Sequence, residues 1–219
     1  MKRLTIFALC VFAAASFARK SDPNPIVDVS QGVFSPSQAL YVQHRHRANG
    51  VTQIWVVSAS APAVQEVLYA YNRSAEVLFS DDEGWLVIND YAGSDLTEVH
   101  VFRRKGGVHY QEVEDISSRA WAYVAEQVGL RERPLLYHNY AEVLRWVDDR
   151  TVLVSLHGHS DSDHYVTQWL CLYDVEKKVF SSDLNKFNRA EYKYPGDIKG
   201  ATESPAPIPP STRPAAVPH

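Results

Sequence analysis

Apolar residues in this chain come in short runs that alternate with polar ones and are cut by tight polar turns, and one such arrangement returns three times. Phe34-Ser35-Pro36-Ser37-Gln38-Ala39-Leu40-Tyr41-Val42 and Phe79-Ser80-Asp81-Asp82-Glu83-Gly84-Trp85-Leu86-Val87 share a strand end, a turn and an apolar strand. Val147-Asp148-Asp149-Arg150-Thr151-Val152-Leu153-Val154 repeats the pattern with a turn one residue shorter. Alternation of period two, bounded by Ser, Asp and Gly, marks antiparallel hairpins. After each copy come a polar loop, a strand (52–58, 98–103, 168–174), a turn and another strand (67–71, 108–113, 179–181). The pattern predicts a four-stranded meander three times over, with Leu86, Val87, Leu153 and Val154 in buried strands and 81–84 and 148–150 as exposed turns.

Between the second and third copies the period changes. Ile116, Ala120, Val124 and Val128 recur every four residues, Trp121 widens their stripe, Asp115 can cap the first turn, and Gly129 with Pro134 beyond it supplies the stop. This predicts one inserted α-helix over 116–128 whose apolar face covers a sheet. The meander is expected to curl over that helix as a single twisted or two-layer body.

The two ends read differently from the middle. Lys2 and Arg3, the apolar run 4–15 and the small residues of Ser16-Phe17-Ala18 have the three-part layout of a signal peptide, over residues 1–18, with the mature chain starting at Arg19. The run falls short of the ~20 residues a lasting membrane helix needs. Leu9 before Cys10 does not suit a lipid attachment site. An exported protein, periplasmic or extracellular, with no stable membrane anchor is the expectation. Residues 200–219 are rich in proline and predict a disordered tail, leaving a single β-rich domain at 26–194.

Composition narrows the partners. The 219 residues carry a formal net charge of -4, and loss of the leader removes two basic residues and no acid, so nothing draws the chain to nucleic acid. Of its 2 cysteines one lies in the leader, so the domain holds no internal disulfide. Cys171, inside the doubly apolar run Trp169-Leu170-Cys171-Leu172-Tyr173, reads as a small core residue.

The strand, S-P-D-G-like turn, strand units resemble the blades of β-propellers, including bacterial envelope propellers of the TolB type. The resemblance runs over about 150 residues from Phe34 onward. It implies a mainly β fold of antiparallel four-stranded meander repeats, about three and propeller-blade-like, with the α-helix inserted among them. Propellers close with about four to eight blades, and this chain has material for three. Unclosed edge strands then invite self-association.

Chemistry concentrates in the loops that follow the second strand of each copy, which a regular meander places on one edge. They read His44-Arg45-His46-Arg47-Ala48-Asn49-Gly50, Asn89-Asp90-Tyr91-Ala92-Gly93-Ser94-Asp95 and His157-Gly158-His159-Ser160-Asp161-Ser162-Asp163-His164. Imidazole and carboxylate suit a borderline divalent ion such as zinc, which makes His157, His159, Asp161, Asp163 and His164 the metal candidates. The stretch Val152 to Asp161 also resembles the strand and H-x-H-x-D-H loop of metallo-β-lactamase-fold hydrolases. Ser162 replaces that family's next histidine, and the later ligands are missing. The paired acids Asp81-Asp82-Glu83 and Asp148-Asp149 belong to turns, where Asp bonds its own backbone. Trp55, Trp85 and Trp146 read as packing residues.

No nucleophile elbow, phosphate loop or dinucleotide fingerprint occurs. The expectation is an exported, non-catalytic binding or interaction module without cofactor, its partner an extracytoplasmic protein or glycan. The alternative is a metal-dependent hydrolase centred on the His157 to His164 loop.

Overall fold

The computed structural model describes residues 22–127, 138–159 and 165–191. The leader expected at 1–18, the tail expected at 200–219 and Val128 of the expected helix lie outside the described residues. The first meander is β1 (Ile26–Phe34), β2 (Leu40–Arg47), β3 (Thr52–Ser58) and β4 (Gln65–Tyr71). The second is β5 (Ala75–Phe79), β6 (Trp85–Asp90), β7 (Leu96–Gly106) and β8 (His109–Asp115). Helix α1 (Ser117–Gln127) follows, then β9 (His138–Trp146), β10 (Thr151–His159), β11 (Tyr165–Asp174), β12 (Val179–Ser181) and the short α2 (Asn185–Glu191). The fold is mainly β, made of four-stranded antiparallel meanders with one long helix.

The turn that defines the repeat is the same object in its first two copies. Ser35 N–H donates to Leu40 O and Ser80 N–H to Trp85 O, each at 3.0 Å, and the serine hydroxyls accept from Leu40 N–H at 3.1 Å and Trp85 N–H at 3.0 Å. Gln38 and Glu83 occupy the left-handed region at φ 60° and 58°. In the shorter third turn Val147 N–H donates to Thr151 O at 2.8 Å, and the Asp148 carboxylate accepts from Arg150 N–H and Thr151 N–H at 2.8 and 2.7 Å.

The three turns are stitched to one another along one edge of the molecule. Glu83 Oε1 accepts from Ser37 N–H at 2.9 Å and from the Ser37 hydroxyl, while Asp149 accepts from Asp82 N–H at 3.0 Å. Arg104 donates to the other Glu83 oxygen at 3.1 Å. Burial alone would raise the Glu83 carboxyl, but the bonds from Ser37 and Ser35 and the Arg104 charge outweigh it and hold the group below the usual carboxylate range. The clustered acids serve as turn ties.

The strands form two sheets, the first meander alone and the second and third joined through β7 and β9, and the three meanders pack face to face as successive layers. Leu40, Val42, Ile54, Val56 and Tyr71 of the first pack on Leu86, Ile88 and Phe102 of the second. The opposite face of the second, through Trp85, Val87, Val99 and Val101, meets α1 and the inner face of the third, including Val152, Val154, Leu156 and Cys171. A third layer is added because β7 is long enough to do two jobs. It pairs with β8 at His100–Gly106 and, in parallel, offers Leu96 and Thr97 to Asn139 and Tyr140 of β9.

Helix α1 forms as its four-residue stripe requires. Asp115 accepts from Ser117 N–H at 2.9 Å, and Ile116, Ala120 and Val124 are buried. Cys171 is buried among apolar neighbours, which pushes its thiol up to about 12 and leaves it a core residue. One strand assignment needs correcting. Val152, Val154 and Leu156 point into the core, so Leu153 faces the other side of β10 and is only half-buried.

Candidate functional site

The sequence candidates fall at the other edge, where the meander reverses between its second and third strands. His157 and His159 belong to β10 itself: the ladder sets His157 opposite Tyr140 and His159 opposite His138 of β9. The His157 ring lies 5.8 Å from that of Tyr140, which stacks in turn on His138 at 6.1 Å. The second polar loop joins this group. Ser94 O accepts from the Tyr140 hydroxyl at 2.5 Å and Asp95 O from Asn139 N–H at 2.8 Å. Asp161, Asp163 and His164, and the side chain of His159, lie outside the described residues.

Among the described residues there is no group of three or more His, Cys, Asp or Glu side chains able to hold a metal ion. The backbone around His157 is nonetheless specialised. At Gly158 a Cβ would stand 2.3 Å from His138 O and 2.8 Å from the Trp121 ring of α1, so glycine is required for the helix to approach β10. Across the ladder the pairing slips between Leu156 and Gly158, and Gln168 of β11 takes φ 53°. His138 and Tyr140 were not singled out from the sequence; their signal is the alternation in His138-Asn139-Tyr140-Ala141 just before the third turn.

The first two polar loops carry separate hydrogen bonds, some within the first meander and some between the first and the second. His44 and His46 lie in β2, with Nδ1 atoms 2.9 Å from the Tyr71 hydroxyl and 2.8 Å from Thr52 Oγ1. Burial, then the neighbouring His46, holds His44 below the usual imidazole value. The Tyr69 hydroxyl donates to Asp90 Oδ2 at 2.8 Å and so accepts from His100 Nε2 at 2.9 Å. The other His100 nitrogen, Nδ1, lies 2.8 Å from Glu112 Oε1. Asp90 is 5% exposed and its Oδ1 has no hydrogen-bond partner among the described residues.

Asn89, read as a loop residue, is fully buried in β6. Its amide donates to Val143 O and accepts from Val143 N–H, each at 2.9 Å, where β9 bulges and the ladder alone would leave those groups unpaired. His44 and His46 thus tie strands within the first sheet, while Asp90 and Asn89 tie meanders together. The structure joins the second loop to β9 beside His157, and joins Asp90 to the first sheet instead.

A different surface emerges on the outer face of the first sheet. Gln43, Arg45, Gln53 and Trp55 alternate with the core residues Val42, Ile54 and Val56 and point away from the second meander. The Arg45 guanidinium lies 4.0 Å over the Trp55 ring, steadied by Gln43 Oε1 at 2.7 and 3.1 Å and by Gln65. Trp55 Nε1–H and Arg47 Nε–H both donate to Gln53 Oε1, at 3.3 and 3.1 Å. Phe34 and Tyr41 continue the face, their rings 5.6 Å apart, beside exposed Val29 and Val67.

Arginine, tryptophan and tyrosine held rigid on a solvated sheet are the side chains that anchor protein interfaces. Sequence alternation reveals that these residues share a face, but not that no other described element covers it. No protein-family model matches the chain, and no curated protein is similar to it.

Proposed function

We propose that the protein is an exported, non-catalytic interaction module that binds an extracytoplasmic protein through the outer face of its first sheet. The observation that carries this reading is the concentration of exposed apolar side chains there. Ile26, Val29, Phe34 and Val67 stand in register with Arg47, Arg45, Tyr41 and Trp55 of this face and are all exposed. A protein suits the face better than a glycan, because the guanidinium already covers the Trp55 ring that a sugar would stack on. The blade-like repeat supports the reading through its division of labour: one edge and the middle layer hold the fold, leaving an end face for a partner.

The test is photo-crosslinking in the native compartment. A photoreactive amino acid introduced at Gln53 should trap one discrete protein, and Arg45→Glu with Trp55→Ala should abolish the product. The same group introduced at Leu153, on the far layer, should trap nothing. Equal trapping at both positions, or none at Gln53, would overturn the proposal.

One observation favours a second reading, the metal-dependent hydrolase. The register that sets His159 opposite His138, with His157 opposite Tyr140, puts three histidine positions at one end of two adjacent strands. Zinc needs three or four donors at about 2.0 to 2.2 Å. Stoichiometric zinc in protein purified without a histidine tag, lost in the His138→Ala and His157→Ala double variant, would move this reading ahead.

A further inference from the structure

Edge strands present unpaired backbone groups, and folded proteins blunt them with short strands, charges or covering elements. The far end of this molecule does so. Strand β12 has 3 residues, and where it stops the Asn188 amide of α2 takes over, donating to Leu170 O at 2.6 Å and accepting from Leu170 N–H at 3.1 Å. Strand β8 carries Glu112, Glu114 and Asp115. Among the described residues no element covers strand β1, whose blunting is confined to one charge and to the two slips of its ladder with β2. It is 9 residues long, pairs with β2 on one side, and is exposed at every position but Gly32. Its only charge is Asp28.

Its sequence is self-complementary. Written out as Ile26-Val27-Asp28-Val29-Ser30-Gln31-Gly32-Val33-Phe34, it has an apolar pair at each end and one polar centre. An antiparallel pair of such strands, related by a two-fold axis through Ser30, sets Ile26 opposite Phe34, Val27 opposite Val33, Asp28 opposite Gly32 and, as its one mismatch, Val29 opposite Gln31. Centring the axis on Val29 would set Ile26 against Gly32 and Val27 against Gln31. Centring it on Asp28 would set the two carboxylates face to face, which is destabilising. Only the Ser30 register matches apolar residues at both ends and keeps the acids apart.

The ladder with β2 adds a second reason. Its register slips between Ile26 and Asp28 and again between Gln31 and Phe34, so Val27 and Val33 have no partner on β2. Cross-strand side-chain pairs are what stabilise a sheet. Across the Ser30 axis, Val27 and Val33 would each gain the neighbour they lack, with exposures of 64% and 42% to lose.

We propose that β1 pairs antiparallel with β1 of a second copy of the chain, about a two-fold axis at Ser30, joining the first sheets of two molecules into one continuous sheet. The proposal rests on the reading of the first meander as an interaction surface and names one partner of it. An edge about 30 Å long and ~10 Å deep covers roughly 300 Å² per copy, against about 800 Å² per partner in a standard interface. The dimer is accordingly weak, forming in the micromolar range of concentration.

Ser30→Cys in the full exported chain tests the axis. Residues directly opposed in an antiparallel pair have Cα atoms about 4.5 to 5.5 Å apart, within disulfide range, and Ser30 is opposed to itself. Under a mild oxidant above the dimerisation range, most Ser30→Cys chains should run as covalent dimer, and Asp28→Cys at least tenfold less. Cys171 is buried and does not compete. Sedimentation of the unaltered chain should show a reversible dimer. Val27→Lys with Val33→Lys should weaken it at least tenfold, and Val27→Lys with Val33→Glu, which sets opposite charges across the axis, should restore it.

Because these side chains are solvated, every variant should keep its thermal midpoint, which separates a lost contact from a lost fold. Equal cross-linking at positions 28 and 30, a chain monomeric through millimolar concentration, or a dimer indifferent to the charge pairs would overturn the proposal. Any of these would leave the outer-face reading standing, since trapping at Gln53 is scored independently.

Discussion

The second meander and the first are built from the same turn and the same strand order, yet they use their side chains in opposite ways. In β6 all six residues from Trp85 to Asp90 are buried, because one alternating set faces the first meander and the other faces the third. In β3, Thr52, Ile54 and Val56 are buried while Gln53 and Trp55 are half-exposed, and in β1 almost nothing is buried. A shared repeat therefore does not imply a shared role. Position in the stack decides it: the middle layer must bury both faces and becomes scaffold, whereas an end layer keeps a face that can be used.

The comparison is broken most directly by cutting into the middle layer. Ile88 is fully buried between the first two meanders, so Ile88→Ala should lose the transferred methyl groups and leave a cavity, about 3 to 5 kcal/mol in urea unfolding. Asn89→Ala attacks the other face of the same strand. It removes three hydrogen bonds, one of them to Glu76, and takes from the buried Val143 N–H and C=O their Asn89 partners, which should cost about 2 to 4 kcal/mol. A loss within 0.5 kcal/mol at either site would mark the layer as peripheral.

The edge ties predict a pH signature. Glu83 is held below the usual carboxylate range, so the folded state binds its proton less readily than the unfolded chain does. Its stabilisation is complete above an unfolded carboxylate value of about 4.3 and is lost as pH falls through the lower folded value. Glu83→Gln should therefore cost about 1 to 2 kcal/mol at pH 7, with the gap from the unaltered chain closing below about pH 4.5. A gap that stays constant down to pH 3 would show that the charge is not what joins the first two turns.

The legible parts of this fold are those where local chemistry and burial agree. The turn around Ser80 was readable because Ser, Asp and Gly each satisfy the backbone there, and α1 because a cap, a four-residue stripe and a stop coincide. Leu153 was misplaced because Val152-Leu153-Val154-Ser155-Leu156 is apolar in both phases, and alternation cannot then say which face is inward. Asn89 and Asp90 read as loop because polarity suggests solvent, whereas the structure keeps them buried with partners more than fifty and twenty residues away in sequence. The Arg45–Trp55 pair was written in the alternation of β2 and β3. What the sequence could not show is that no layer among the described residues covers it.

The smallest effect expected on stability is at that pair, and it bears most on function. Trp55 is half-buried beneath a guanidinium that is itself only partly exposed, so the contact is worth about 1 kcal/mol. Trp55→Ala with Arg45→Ala should shift the urea midpoint only slightly, well under the loss at Ile88, because neither residue belongs to either core cluster. Partner trapping at Gln53 should nevertheless disappear, since truncating a rigid aromatic or arginine anchor at an interface typically costs 2 kcal/mol or more of binding, about thirtyfold in affinity. A scaffold residue would lose stability and trapping together, and an idle surface residue would lose neither. Only a residue kept for a partner separates the two, and a double variant that unfolds as readily as Ile88→Ala would return this face to the scaffold.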